Sequence, residues 1–248
     1  MLMVIGCLGF CVGSFIHVAY CRFSPSQTPL QYLFAITIKR SACPQCQTKL
    51  TAWQLIPVIS WLILKRRCYV CQQQIASRYI VLELLMGLLF MLIVMTKGIN
   101  NHSLILMTLA SYFVLLALID FNYYLLPDFL TQPLMWLGLI CAYFELSDIT
   151  IKSALTSILF SYLLLKIPAT VFYFITQKHG LGQGDVKLFA AIGAWLPYEW
   201  LPFVLVLASS IGIFYYLCLK YALKQKWLTV IPFGPCLLIS GFLIDYLV

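Results

Sequence analysis

Long apolar runs separated by short polar breaks fill most of the 248-residue chain. The candidate spans are Met1 to Tyr20, Tyr79 to Thr96, Leu104 to Ile119, Phe129 to Phe144, Ser153 to Thr176, Val186 to Leu196, Leu201 to Leu219 and Leu228 to Val248. About 20 apolar residues cross a bilayer as a helix, so most of these runs fit one crossing each and the sixth is short. They are apolar throughout, unlike the alternating strands of an outer-membrane barrel. Pro197 and Pro202 bracket a tight turn between the sixth and seventh runs. The pattern predicts an all-α polytopic integral membrane protein of about eight transmembrane helices. One long polar tract, Arg22 to Arg78, separates the first helix from the second. No basic segment precedes the first run, which therefore reads as a retained helix and not a cleaved signal.

Composition narrows this further. Hydrophobic residues make up 62% of the chain and charged residues 10%, against about 25% charged in ordinary soluble domains. A soluble enzyme, a disordered chain and a secreted disulfide scaffold are excluded, since a folded soluble protein must cover itself with polar groups. The net charge of +8 does not point to nucleic acid, because the charges follow the membrane. Arg22 to Arg78 holds eight Lys/Arg and no carboxylate; with that tract inside, the inner segments carry 13 Lys/Arg and the outer ones two, Lys97 and Lys152. This bias predicts a cytoplasmic tract, both termini outside, and attraction to the anionic leaflet surface.

Within the tract, four of the ten cysteines fall as Cys43-Pro-Gln-Cys46 and Cys68-Tyr-Val-Cys71, two C-x2-C pairs 21 residues apart. Two such pairs close a tetrahedral shell around one zinc ion and leave no position for water, which makes the site structural. Redox pairs or idle thiols are the alternatives, and a reducing cytoplasm favours the metal. Cys7, Cys11, Cys21, Cys141, Cys218 and Cys236 are scattered in or beside spans and read as buried filler.

Carboxylates are the second signal, since the chain has eight. Glu145, Asp148, Glu199 and Asp245 fall at the outer side. Asp120 closes the third span and Asp185 opens the sixth, in Gly182-Gln183-Gly184-Asp185-Val186-Lys187. The orientation above brings both to the cytoplasmic membrane face. Two carboxylates there could share a proton and activate water on a peptide carbonyl; a pair of helix caps is the plainer alternative. Gly182 and Gly184 let the backbone turn sharply and lie close to an extended peptide. Asp128, after Pro127, reads as an N-cap.

Gly182-Gln183-Gly184-Asp185-Val186-Lys187-Leu188 resembles the signature of the GxGD membrane aspartyl proteases. Ile119-Asp120 with Leu126-Pro127-Asp128 resembles the other half of the active site in bacterial type IV prepilin peptidases. Gly13-Ser14-Phe15 leading to Arg22, Ile56-Pro57-Val58-Ile59-Ser60-Trp61-Leu62, Ser77-Arg78-Tyr79 with Glu83, and Pro232-Phe233-Gly234-Pro235 match further blocks in order. The resemblance implies an inner-membrane aspartyl endopeptidase with Asp120 and Asp185 catalytic, zinc on the four cysteines, and prepilins or pseudopilins as substrates. It implies cleavage at the cytoplasmic face, and N-methylation of the new terminus with S-adenosylmethionine. His17 and Leu55 stand where the family has Asn, and Arg66 close to a common Gly; these departures bear on methyl transfer more than on proteolysis.

The expected domains are a first helix (1–21), a metal-binding loop (22–78) and a peptidase region (79–248). Another GxGD intramembrane protease and a zinc-regulated transporter are the competing readings; the cysteine quartet argues against the first and the shared face of the aspartates against the second. Glu83 could pair with Arg78, make a polar helix contact or serve a cofactor. Lys166 could snorkel or satisfy a carbonyl freed by Pro168. His17 reads as a helix-packing residue, and His102 and His179 as loop surface.

Overall fold

The computed structural model describes residues 1–178, 180–221 and 232–247. His179, Lys224, Lys226 and the start of the eighth apolar run lie outside the described residues. The described chain is helical, with ten α-helices, and divides into two compact units, Met1–Ser103 and Leu104–Val248.

In the first unit, α1 (Leu2–Cys21) and α4 (Arg78–Lys97) form the main packed pair. Contacts run from Gly6 with Met91, through Gly9 with Gly87, to Gly13 with Glu83, so the two helices are antiparallel. A β-carbon on Gly9 would lie 2.6 Å from the Met86 carbonyl oxygen, and one on Gly13 2.7 Å from that of Leu82. Small residues four apart thus let two backbones meet, the usual device where lipid offers no hydrophobic drive for helix association. The missing side chain of Gly87 is replaced by the Phe10 ring.

Between these helices, the polar tract folds into α2 (Pro29–Thr37), a 3-10 turn at Ala52–Leu55, the short α3 (Ile59–Ile63) and two cysteine turns. Thr28 and Gln31 form a capping box at the start of α2. Arg22 closes its other end, donating from Nη1 to the carbonyls of Ala35 (2.6 Å) and Lys39 (2.7 Å). Buried Tyr32 donates its hydroxyl to the Ala19 carbonyl at 3.1 Å. Arg22 and Tyr32 therefore fix α2 to the end of α1.

The second unit contains α5 (Asn101–Tyr123, entered from the first unit), α6 (Asp128–Tyr143), α7 (Ile151–Thr176), α8 (Gln183–Gly193), α9 (Leu201–Tyr221) and α10 (Gly234–Leu247). Among the described residues, five helices are long and apolar enough to cross a membrane: α1, α4, α5, α7 and α9 with the turn before it. Among the described residues the lengths do not give the expected eight, because α6 has 16 residues, α8 11 and α10 14. At about 1.5 Å per residue, α8 covers roughly 16 Å, about half of a hydrocarbon core.

Protein, not lipid, surrounds α8. Val186 and all residues from Leu188 to Gly193 are buried, and the helix packs on α6, α7 and α10. Small residues again permit this. A β-carbon on Gly193 would lie 2.5 Å from Ser161 Oγ of α7, and one on Gly138 of α6 2.7 Å from the Ala194 Cβ. Trp195 donates its indole N–H to the Leu134 carbonyl at 3.1 Å. A helix apolar on all sides belongs inside the protein, and this one carries Asp185 in its first turn.

Candidate active site and metal centre

Three blocks distant in sequence meet around Asp120. This residue lies one turn before the end of α5, is 5% exposed, and accepts the backbone N–H of Gly234 on Oδ2 at 3.1 Å. A β-carbon on Gly234 would stand 2.6 Å from that oxygen, so glycine is required for the contact. Asp185 is the third residue of α8, and its carboxylate accepts a backbone hydrogen bond from the N-cap Gly182. The N3 side chain thus satisfies the N-cap donor, as in half of a capping box. The Asp120 charge acts on Asp185, and both carboxylates act on Cys236 of α10. Leu126 packs under both glycines: its Cβ would lie 3.1 Å from a β-carbon on Gly184, and its Cδ1 3.2 Å from one on Gly234.

The sequence reading contrasted a helix-closing Asp120 with a helix-opening Asp185. The structure removes much of that contrast, because Gly234 opens α10 and offers Asp120 the electropositive end of another helix. Asp128 is likewise corrected: Pro127 is the N-cap, and Asp128 is the first residue of α6, paired with Lys187 Nζ at 2.6 Å. Lys166 donates from Nζ to Gln183 Oε1 at 3.0 Å, within the glycine block. His102 is helical and half-buried, not loop surface.

In the first unit, the sulfurs of Cys43, Cys46, Cys68 and Cys71 all lie within 4.8 Å of one another. Cys43 and Cys71 are 3.7 Å apart, and Cys46 and Cys68 4.0 Å. A tetrahedral ion with sulfur bonds of about 2.3 Å requires edges of roughly 3.8 Å, so the four sulfurs fit a metal ion. The two turns are copies of each other. The N–H of Cys43 bonds the Thr48 carbonyl as that of Cys68 bonds the Gln73 carbonyl, and Gln47 and Gln72 occupy the same left-handed position (φ 56° and 57°). The hydroxyl and backbone N–H of Thr48 pull the Cys46 thiol down to about 6, and the backbone N–H groups of Cys71 and Val70 lower that of Cys68. Against the N–H of Gln73, burial and the other three sulfurs push the Cys71 thiol up to about 11; at Cys46 and Cys68, donors aimed at sulfur favour the thiolate, the form that binds a metal.

Glu83 proves to be a junction. It is 6% exposed, accepts the Val58 N–H at 2.7 Å and a bond from the Ser14 side chain, and pairs with neither Arg78 nor any other cation among the described residues. The expected packing role of His17 holds: it is buried, stacked on Tyr79 with centroids 3.6 Å apart, and near Cys21 Sγ (3.3 Å). Arg66 adopts φ 65°, the conformation glycine accommodates best, and its guanidinium lies 5.4 Å from the Trp61 ring centroid. Gly234 and Cys236 carried no site role in the sequence reading, although the Pro-Phe-Gly-Pro block around them stood out.

Two acidic side chains gathered at helix ends beside a Gly-x-Gly-Asp turn, within a helical membrane protein, define the class: a membrane peptidase. Residues 7–97 match the bacterial peptidase A24 N-terminal domain, and residues 107–217 match the type IV leader peptidase family. The chain is 34% identical to a type 4 prepilin-like proteins leader peptide-processing enzyme of Escherichia coli, over 96% of this chain and 91% of that protein. It is 39% identical to a prepilin leader peptidase/N-methyltransferase of Aeromonas hydrophila (85% and 72% covered) and 34% identical to one of Neisseria gonorrhoeae (96% and 87%). No solved structure matches. The chain belongs to the type IV leader peptidase family.

Proposed function

We propose that this protein cleaves the leader peptide of type IV prepilins or related pseudopilins at the cytoplasmic face of the inner membrane, with Asp120 and Asp185 as its catalytic pair. The observation that carries this is the setting of the two carboxylates, Asp120 held by the Gly234 N–H and Asp185 by the Gly182 N–H with Leu126 packed against both glycine blocks, supported by relatives named as leader peptidases. Two neighbouring carboxylates hold one proton between them, so one can deprotonate a water while the other protonates the leaving amine. Gly182 and Gly184 leave room for an extended substrate beside the pair. Basic leaders stay inside for the same reason as the basic Arg22–Arg78 tract, which places substrate and site at one face and both termini in the periplasm.

The two units divide the work: Leu104–Val248 carries proteolysis, and Met1–Ser103, with zinc held by Cys43, Cys46, Cys68 and Cys71, carries N-methylation of the new terminus with S-adenosylmethionine. Zinc here staples the loop and takes no part in the reaction, because four sulfurs leave it no open position. The decisive experiment is cleavage of a prepilin by the purified chain in detergent. Asp120→Asn and Asp185→Asn should each lose about 10²-fold or more of the rate; near-wild-type cleavage by either would overturn the two-aspartate mechanism.

A further inference from the structure

The first unit contains a cavity of about 530 Å³ between the ends of α1 and α4 and the metal-binding tract. Proteolysis does not use it. Its size falls in the range of small-molecule sites, about 300–1,000 Å³. It is lined by His17 and Tyr79, which stack on each other, by Trp61, Tyr69 and Glu83, and by Arg22, whose guanidinium is bonded to the Ala35 and Lys39 carbonyls.

Two features of the wall ask for a ligand. Glu83 is buried without a cation, and its two accepted hydrogen bonds leave lone pairs unused. A buried carboxylate with no counter-charge is costly. Trp61 has an enclosed indole N–H with no acceptor among the described residues, whereas buried donors are nearly always bonded. The backbone also spends energy on this geometry. Val58 donates to Glu83 from φ 61° and ψ −53°, the centre of a γ-turn closed by the Ile59 N–H on the Pro57 carbonyl at 2.6 Å, a rare and strained conformation for a β-branched residue. The Ile56–Trp61 block, conspicuous in the sequence and idle in proteolysis, is thereby fastened against Glu83.

We propose that this cavity binds the methyl donor, S-adenosylmethionine, with the Glu83 carboxylate facing its cationic part, the aromatic rings flanking the sulfonium and adenine, and the Trp61 N–H donating to a ligand acceptor. The proposal rests on the methyl-transfer reading above. A sulfonium is attracted both by a buried carboxylate and by aromatic faces, and adenine stacks on the same rings. In the reaction, the free amine of the cleaved pilin forms a C–N bond to the methyl carbon as the S–CH₃ bond breaks. The bonding pair stays on sulfur, giving neutral S-adenosylhomocysteine, and the methylated amine loses a proton to water.

The test compares binding of labelled S-adenosylmethionine and S-adenosylhomocysteine by equilibrium dialysis of the full-length protein in detergent. Wild type should prefer the charged ligand. Glu83→Gln, which keeps an acceptor for Val58, should weaken the charged ligand about tenfold and the neutral one much less, while Trp61→Phe should weaken both several-fold. Should either variant fold poorly by thermal melting, ultraviolet cross-linking of labelled S-adenosylmethionine to wild type, mapped by mass spectrometry, should mark peptides within residues 14–83. If wild type binds and methylates while Glu83→Gln keeps the charge preference, or the label falls only beyond residue 104, the pocket is wrong and methyl transfer stands. If wild type neither binds the donor nor methylates cleaved pilin, both readings fall.

Discussion

Asp120 and Gly234 show how little space the pair of carboxylates has. The glycine N–H reaches Asp120 Oδ2 only because no side chain intervenes, and a methyl group there would sit 2.6 Å from the oxygen. Gly234→Ala should therefore push Asp120 aside and lower the cleavage rate about 10²-fold, the loss expected from misplacing a reacting group by about 1 Å. A prepilin cleavage assay at saturating substrate checks this. Asp128 behaves differently, because its pair with Lys187 is half exposed on both sides (46% and 50%). Such pairs contribute about 0–1 kcal/mol, so Asp128→Asn should retain cleavage within a few-fold of wild type. At the cysteine turns, Gln47 and Gln72 hold a conformation that costs an L-residue about 1–2 kcal/mol, partly offset by the entropy glycine would lose. Gln47→Gly should raise the stability of the loop by about 0.5–1 kcal/mol, read as a higher chelator concentration needed to strip the metal.

At the scale of elements, the antiparallel α1–α4 contact depends on glycine at positions 9 and 13. Leucine at either would drive a side chain into the α4 backbone, which lies within 2.6–2.8 Å of the β-carbon positions. Gly9→Leu should destabilise the first unit by about 1–3 kcal/mol, visible as a lower melting midpoint and faster proteolysis between Arg22 and Arg78. The metal-binding turns form a second element whose loss has a local reading. Replacing Cys43 and Cys68 together should abolish metal binding and open the same segment to protease. Cleavage of prepilin should fall only in part, since a closed sulfur shell supplies no catalytic position. Stoichiometric metal in that double variant would refute the site. The half-length helix α8 is a third element. Its burial under α6, α7 and α10 holds Asp185 by packing on every side, whereas a lipid-facing helix of 11 residues would be free to shift.

Over the whole molecule, the division into Met1–Ser103 and Leu104–Val248 follows the two sequence matches, 7–97 and 107–217, and differs from the boundaries read along the chain. Helix α4, grouped with the peptidase region by its place in sequence, packs on α1. The sequence by itself determined what depends on composition and near neighbours. The membrane class follows from summed apolar area, the metal site from two-residue spacers that put paired sulfurs on one turn, and the candidate pair Asp120 and Asp185 from the rarity of carboxylates at span ends together with the resemblance of the Gly-x-Gly-Asp block to the GxGD proteases. Tertiary structure alone decided what depends on contacts between distant residues. The Asp120–Gly234 bond joins positions 114 residues apart, and Glu83 meets Val58 across 25. It also decided that α8 is enclosed, because a short apolar helix reads the same in sequence whether lipid or protein surrounds it. Apolar periodicity reports that a face is removed from water; which partner covers it is set by small residues such as Gly138, Ser161 and Gly193, whose lack of bulk leaves no signal until the opposing helix is in place.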